Sequence, residues 1–163
     1  MTEFVLKNNA LQGAGLALRA AFGRGGITAQ KREGDGGTPA GLLKLVRVLY
    51  RADRLPPPRC AVPLEPISPG DGWCDDVADA AYNRPVRLPY PASHEALWRA
   101  DRVYDVIGVL DWNLAPIMPG RGSAIFFHVA TPDYAPTAGC VALSLPDVLA
   151  ALAAGMSGIK VVG

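Results

Sequence analysis

The stretch Gly122-Ser123-Ala124-Ile125-Phe126-Phe127-His128-Val129, followed by Thr137-Ala138-Gly139-Cys140-Val141-Ala142-Leu143, decides how this chain reads. Ser123–Val129 is apolar enough for a central strand and carries an imidazole near its end. Val141–Leu143 reads as a second, shorter strand, entered through a glycine turn that ends in a thiol. A thiol attacks only as thiolate, so it needs an adjacent base or a lowered pKa. The oxyanion formed at the attacked carbonyl needs N–H donors, and a glycine before the nucleophile lets the chain point them inward. Cys140 is therefore a candidate nucleophile and His128 its candidate base. The backbone N–H groups of Gly139 and Cys140 are candidate oxyanion donors. The competing reading is structural: free cysteines are among the most buried residues, and a lone histidine is often a hydrogen-bonded core residue. With 3 Cys and 2 His in the chain, these two residues alone do not decide between the readings.

The flanking sequence predicts a loop-rich domain built on short strands. Gly (18) and Pro (15) are spread along all 163 residues, and long apolar-periodic runs are few, which argues against a helical bundle. The length suits a single domain over 1–163. An apolar content of 50% against 19% charged residues excludes a disordered chain. The net charge of +1 comes without a basic block, so no nucleic-acid surface is expected. No segment approaches a membrane span. Met1–Lys7 lacks the basic start, apolar core and small-residue cleavage site of a signal peptide. Without a CxxC or His-x-x-x-His pair, no metal site is expected, and no cofactor is called for. Cys60 and Cys74 are compatible with a disulfide or with two free thiols.

Strands are expected at Glu3–Lys7, Leu16–Phe22, Leu42–Arg51, Tyr104–Leu110, Ser123–Val129, Val141–Leu143 and Ile159–Val162. Pro119-Gly120-Arg121-Gly122 forms a tight turn before the histidine strand. Ser144-Leu145-Pro146-Asp147 opens a helix that runs to a Gly155 stop. Ser93–Arg99 reads as a second short helix capped by Ser93. Residues 54–91 show little periodicity and are expected to form an irregular insertion, a binding loop or lid.

Taken together, the motifs resemble the L,D-transpeptidase catalytic domain, the YkuD family. Lys31-Arg32-Glu33-Gly34-Asp35-Gly36-Gly37-Thr38-Pro39-Ala40-Gly41 is similar to that family's early loop. The His128 strand and the Thr137-Ala138-Gly139-Cys140 turn resemble its histidine strand and nucleophile turn. Asp71–Asp76, Tyr82-Asn83-Arg84 and Tyr104-Asp105 resemble its compact proteobacterial branch. The resemblance implies a mainly β fold, a β-sandwich or mixed-sheet domain with one or two short helices. It also implies a monomeric peptidoglycan enzyme acting in the periplasm on stem peptides and open to carbapenem-type inhibitors.

In that reading Cys140 attacks the bond after diaminopimelate, holds the stem peptide as a thioester, and passes it to an amine of a second stem. An L-Ala–diaminopimelate crosslink is the variant product. Substrate contacts are expected from Tyr104, Asn83, Ser123 and Thr137. Two departures stand out. Ala138 occupies the place of a second histidine, and Ala142 the place of an Arg or Asn. Arg121, on the turn into the histidine strand, is the candidate for the missing cationic contact to a substrate carboxylate. His94 is expected at the surface rather than as a second base. A hydrolytic enzyme with the same Cys-His site, and a non-catalytic wall-binding module, are the competing functions.

Overall fold

The computed structural model describes residues 1–163. Fourteen strands and one helix follow in order: β1 (Thr2–Lys7), β2 (Ala10–Gly13), β3 (Leu16–Arg19), β4 (Ile27–Thr28), β5 (Thr38–Pro39), β6 (Gly41–Tyr50) and β7 (Leu64–Pro66), then β8 (Asp71–Cys74), β9 (Pro85–Arg87), β10 (His94–Ala96), β11 (Val106–Leu110), β12 (Phe126–Val129), β13 (Val141–Leu143), α1 (Leu145–Ala153) and β14 (Met156–Val162). Nine strands form one mixed sheet in the order β13-β12-β11-β6-β14-β1-β2-β3, with β7 alongside β6. The β12/β13, β1/β14 and β6/β7 pairs are parallel, and the other pairs antiparallel. The expected mainly β, mixed-sheet architecture with a short helix is what the chain adopts.

Alternation along the strands builds two cores. Side chains on a strand alternate between faces, so Val106 and Leu110 of β11 join Phe127 and Val129 of β12 on one side. Helix α1 covers that side with Val148, Ala151 and Leu152. Ile107, Val109 and Phe126 face the other side, with Trp73, Tyr104 and Cys140. His128 is two residues from Phe126 and opposite Ile107, so the same alternation turns it toward this second core. Gly108 faces the α1 side where space is tight: a Cβ there would lie 2.8 Å from Leu45 Cδ1 and 3.2 Å from Phe127 Cβ.

Helix α1 begins as its sequence predicts. Ser144 Oγ accepts the Asp147 N–H, a proline occupies the first turn, and Gly155 follows with φ 85°.

Two expectations are corrected. Ser93–Arg99 is not a helix: His94–Ala96 pairs antiparallel with β8, and Ser93 Oγ donates to Asp75 Oδ1 instead of capping. A three-residue strand laid beside an existing one outweighs a weak local helical preference. Residues 54–91 are not irregular throughout. They contain β7, β8 and β9, and β8 lies between β9 and β10 in a separate three-stranded sheet. Trp73 of β8 anchors that sheet, meeting Phe126 edge-on at 5.1 Å between ring centroids. The N-terminal region also holds three strands rather than two, and the histidine strand starts at Phe126 rather than Ser123.

Candidate active site

Parallel pairing of β12 with β13 sets Phe127 beside Val141 and His128 beside Ala142. One step back along the chain, Cys140 comes beside Phe126, whose N–H points at Cys140 Sγ at 3.4 Å. Cys140, Ala142 and His128 thus share the sheet face away from α1, and all three line one cavity of about 320 Å³. Tyr104, Ser123 and Thr137 line it as well, as do Lys31 and Glu33 of the early loop. Asp75, Glu95 and Arg99, from the β8–β10 region, contribute to its wall.

The turn that ends in Cys140 is fixed by three hydrogen bonds. Thr137 Oγ1 donates to Cys140 O at 2.6 Å and accepts the Gly139 N–H at 3.1 Å. Thr38 Oγ1 donates to Gly139 O at 2.8 Å. Gly139 adopts φ 141°, where a side chain is strained, and a Cβ there would lie 2.8 Å from Gly37 O. The Gly139 N–H, expected to face an oxyanion, is therefore engaged within the turn. Thr137 is the residue that closes the turn.

Cys140 and His128 rest as neutral groups. The Cys140 thiol donates to Ala124 O at 3.3 Å rather than to His128. Burial first, then the Glu95 carboxylate, push it up to about 12, against the Phe126 N–H and the Lys31 charge. Burial lowers His128 to about 4, only partly countered by its bond to the Val129 carbonyl. That carbonyl lies 2.9 Å from His128 Nδ1 and can only accept. Nδ1 therefore carries the proton, and Nε2 is left as the basic atom. The Tyr104 ring meets the imidazole edge-on at 5.4 Å, and its hydroxyl donates to Glu95 Oε1 at 2.7 Å. Burial, with the charges of Cys140 and Glu95, holds the Tyr104 phenol well above its usual value, so it remains a donor.

Asn83 and Arg121 are not brought to this cavity. Asn83 is buried beneath it, where its Oδ1 accepts the Trp73 indole N–H and the Ala124 N–H, while its Nδ2 donates to Trp112 O and Asn113 O. It thereby holds Ala124 at φ 52°, the residue whose carbonyl receives the thiol hydrogen. Arg121 is exposed and lines a neighbouring depression with Gln30, Arg32 and Trp112, which shares only Lys31 with the cavity of Cys140. Ser123 does line the cavity, but its hydroxyl donates to Glu33 Oε1 at 2.6 Å. His94 is half-buried on β10, its Nδ1 against Ala92 O. The three cysteines are free: Cys60 Sγ faces Val62 O, and Cys74 Sγ faces Asp79.

Four residues that reading the sequence left without a role converge here. Glu33 Oε1 accepts from both Tyr82 and Ser123, tying the early loop to the segment before the histidine strand. Thr38 ties the same loop to the nucleophile turn, and Glu95 accepts from Tyr104. Lys31 is buried, with Asp35 as its partner at 2.6 Å. Charged residues in a glycine-rich loop were the available signal, but partners 90 or more residues away were not.

A thiol at the entry to β13 and an imidazole on the neighbouring parallel strand β12 thus open into one cavity of a mainly β domain. The chain belongs to the YkuD family, the L,D-transpeptidase catalytic domain, whose family model matches residues 3–161. Among solved structures, the crystal structure of Mycobacterium tuberculosis L,D-transpeptidase 1 is similar at 12% identity and a TM-score of 0.43, over 100% of this chain and 61% of that one. The present chain thus spans about three-fifths of that protein's length. No curated protein sequence matches. No helix is long and apolar enough to cross a membrane.

Proposed function

We propose that this protein is a peptidoglycan L,D-transpeptidase that uses Cys140 as nucleophile and His128 as general base and acid. The observation that carries this reading is the shared cavity of Cys140 and His128, with His128 Nδ1 committed to Val129 O. His128 Nε2 takes the thiol proton as sulfur attacks diaminopimelate's own carbonyl in the peptide bond that follows it in a stem peptide. The carbonyl π pair moves to oxygen. Collapse re-forms C=O, breaks the C–N bond and leaves a thioester, while Nε2 returns the proton to the departing amine. An amine of a second stem then attacks the thioester and yields a proton to Nε2; the new C–N bond forms, the C–S bond breaks, and Nε2 passes the proton to the departing sulfur.

The neutral resting state supports proton transfer concerted with attack. Burial pushes the thiol up and the imidazole down, so both groups favour their neutral forms before substrate binds. Peptidoglycan as substrate implies a periplasmic place of action, and a nucleophilic Cys140 would be acylated by carbapenems at the same sulfur.

Incubation with purified disaccharide tetrapeptide stems tests the reading. Crosslinked dimers are the expected product, and mass spectrometric sequencing of the crosslink identifies the donor bond. Trimmed monomers without dimers would make the enzyme a hydrolase. Unchanged stems would leave a binding module.

A further inference from the structure

The turn before Cys140 offers a single free backbone donor for an oxyanion. Of the two backbone N–H groups flanking the nucleophile, that of Gly139 is held by Thr137 Oγ1, while that of Cys140 has no acceptor within the protein. Ala138 supplies no side-chain donor where the family resemblance leads one to expect a histidine. One N–H is a weak site for a developing negative charge, since preorganised donors usually work in pairs.

Lys31 brings a cationic donor to the same turn. Its aliphatic stem runs beside Gly122, where a Cβ would come within 3.0 Å of Lys31 Cε and 3.1 Å of Cγ. Its ammonium reaches Gly139, where a Cβ would lie 3.4 Å from Nζ. Both glycines have positive φ, 108° and 141°, so the lysine threads a path that side chains would narrow. Asp35 Oδ1 accepts from Nζ at 2.6 Å and also receives the Gly37 N–H, while its Oδ2 receives the Arg32 N–H. The ammonium is thereby anchored by a carboxylate that is itself fixed. An ammonium carries three N–H donors, and Asp35 uses one of them. Lys31 also lines the cavity that holds Cys140 and His128.

We infer that Lys31 is a catalytic residue, the second oxyanion donor beside the Cys140 N–H, held in place by Asp35. The assignment rests on Cys140 being the acylated nucleophile. As sulfur bonds to the carbonyl carbon, the π pair moves to oxygen, which accepts from Cys140 N–H and from Lys31 Nζ. When that pair returns, C=O re-forms and the C–N bond breaks. The leaving nitrogen takes its proton from His128, and Lys31 keeps its own throughout. Arg121, exposed beside another depression, has no part in this.

Two reactions of the same sulfur separate this role from a structural one. Acylation by a carbapenem passes through an oxyanion, whereas alkylation by iodoacetamide displaces iodide and forms none. Both rates are followed at Cys140 by peptide mass spectrometry. Lys31→Met is expected to slow acylation about 100-fold relative to its own alkylation rate. Asp35→Asn, which keeps the ammonium but frees it, should show a smaller loss in the same ratio, and it carries the test if Lys31→Met does not fold. Equal loss in both reactions, or no loss in either, would overturn the assignment. If the unmodified protein is not acylated at Cys140 at all, the transpeptidase reading fails first. If it is acylated and the ratio in the variants is unchanged, only the role of Lys31 falls.

Discussion

The Thr38 hydroxyl donates to the Gly139 carbonyl at 2.8 Å, joining residues 101 apart and pinning the nucleophile turn to the early loop. The same oxygen accepts the Gly23 N–H at 2.8 Å, and Thr38 is fully buried. Thr38→Val keeps the volume but leaves two buried backbone groups without partners. A cost of about 3 kcal/mol is expected in urea unfolding, with slower carbapenem acylation of the folded fraction. An unchanged midpoint would show that the turn holds itself.

Asn83 is expected to matter through position rather than contact with substrate. Asn83→Leu removes hydrogen bonds to four groups and places an apolar branch at φ 57°. Destabilisation of about 3 kcal/mol or more is predicted. In the folded variant, Cys140 should lose its fixed Ala124 acceptor. A raised KM with unchanged stability would instead make Asn83 a direct substrate ligand.

His128 should make stability depend on pH. Its unfolded value is 6.5 and its folded value is about 4, so between these the unfolded chain binds more protons. Stability attributable to His128 is present above pH 6.5, declines as pH falls toward 4, and changes no further below that. The shift corresponds to up to about 3 kcal/mol. His128→Gln should flatten the thermal unfolding profile across pH 4–6.5 relative to the parent. Parallel profiles would mean the imidazole is not held neutral.

The Cys140 thiol, pushed to about 12, predicts alkylation that rises about tenfold per pH unit from 7 to 10 without a plateau. A plateau near neutrality would reveal a standing thiolate–imidazolium pair and replace concerted transfer by a preformed nucleophile.

Arg121→Ala is expected to change acylation by less than about twofold, because the side chain is exposed outside the cavity. A large loss would return the cationic role to Arg121 and take it from Lys31.

Much of the fold was legible in local pattern. The apolar run ending at His128, the turn before Val141 and the capped helix after Ser144 each follow from residues near one another in the chain. Alternation along β12 also explains why His128 and Phe126 share a face. What stayed hidden depends on distant partners. His94–Ala96 becomes a strand because β8 lies beside it. Ser123 and Asn83 look like groups reaching for substrate until Glu33 and Ala124 are seen to satisfy them. Lys31 reads as one charge in a glycine-rich loop, and only folding brings it to Gly139. Arg121 was favoured for closeness in sequence to His128, but the turn that carries it faces elsewhere.

The central claim, that Cys140 is acylated, is tested most directly by intact-mass measurement after exposure to a carbapenem. A single adduct is expected, mapped to Cys140 by peptide sequencing and absent from Cys140→Ala. No adduct on the folded protein, or one that persists in Cys140→Ala, would contradict it.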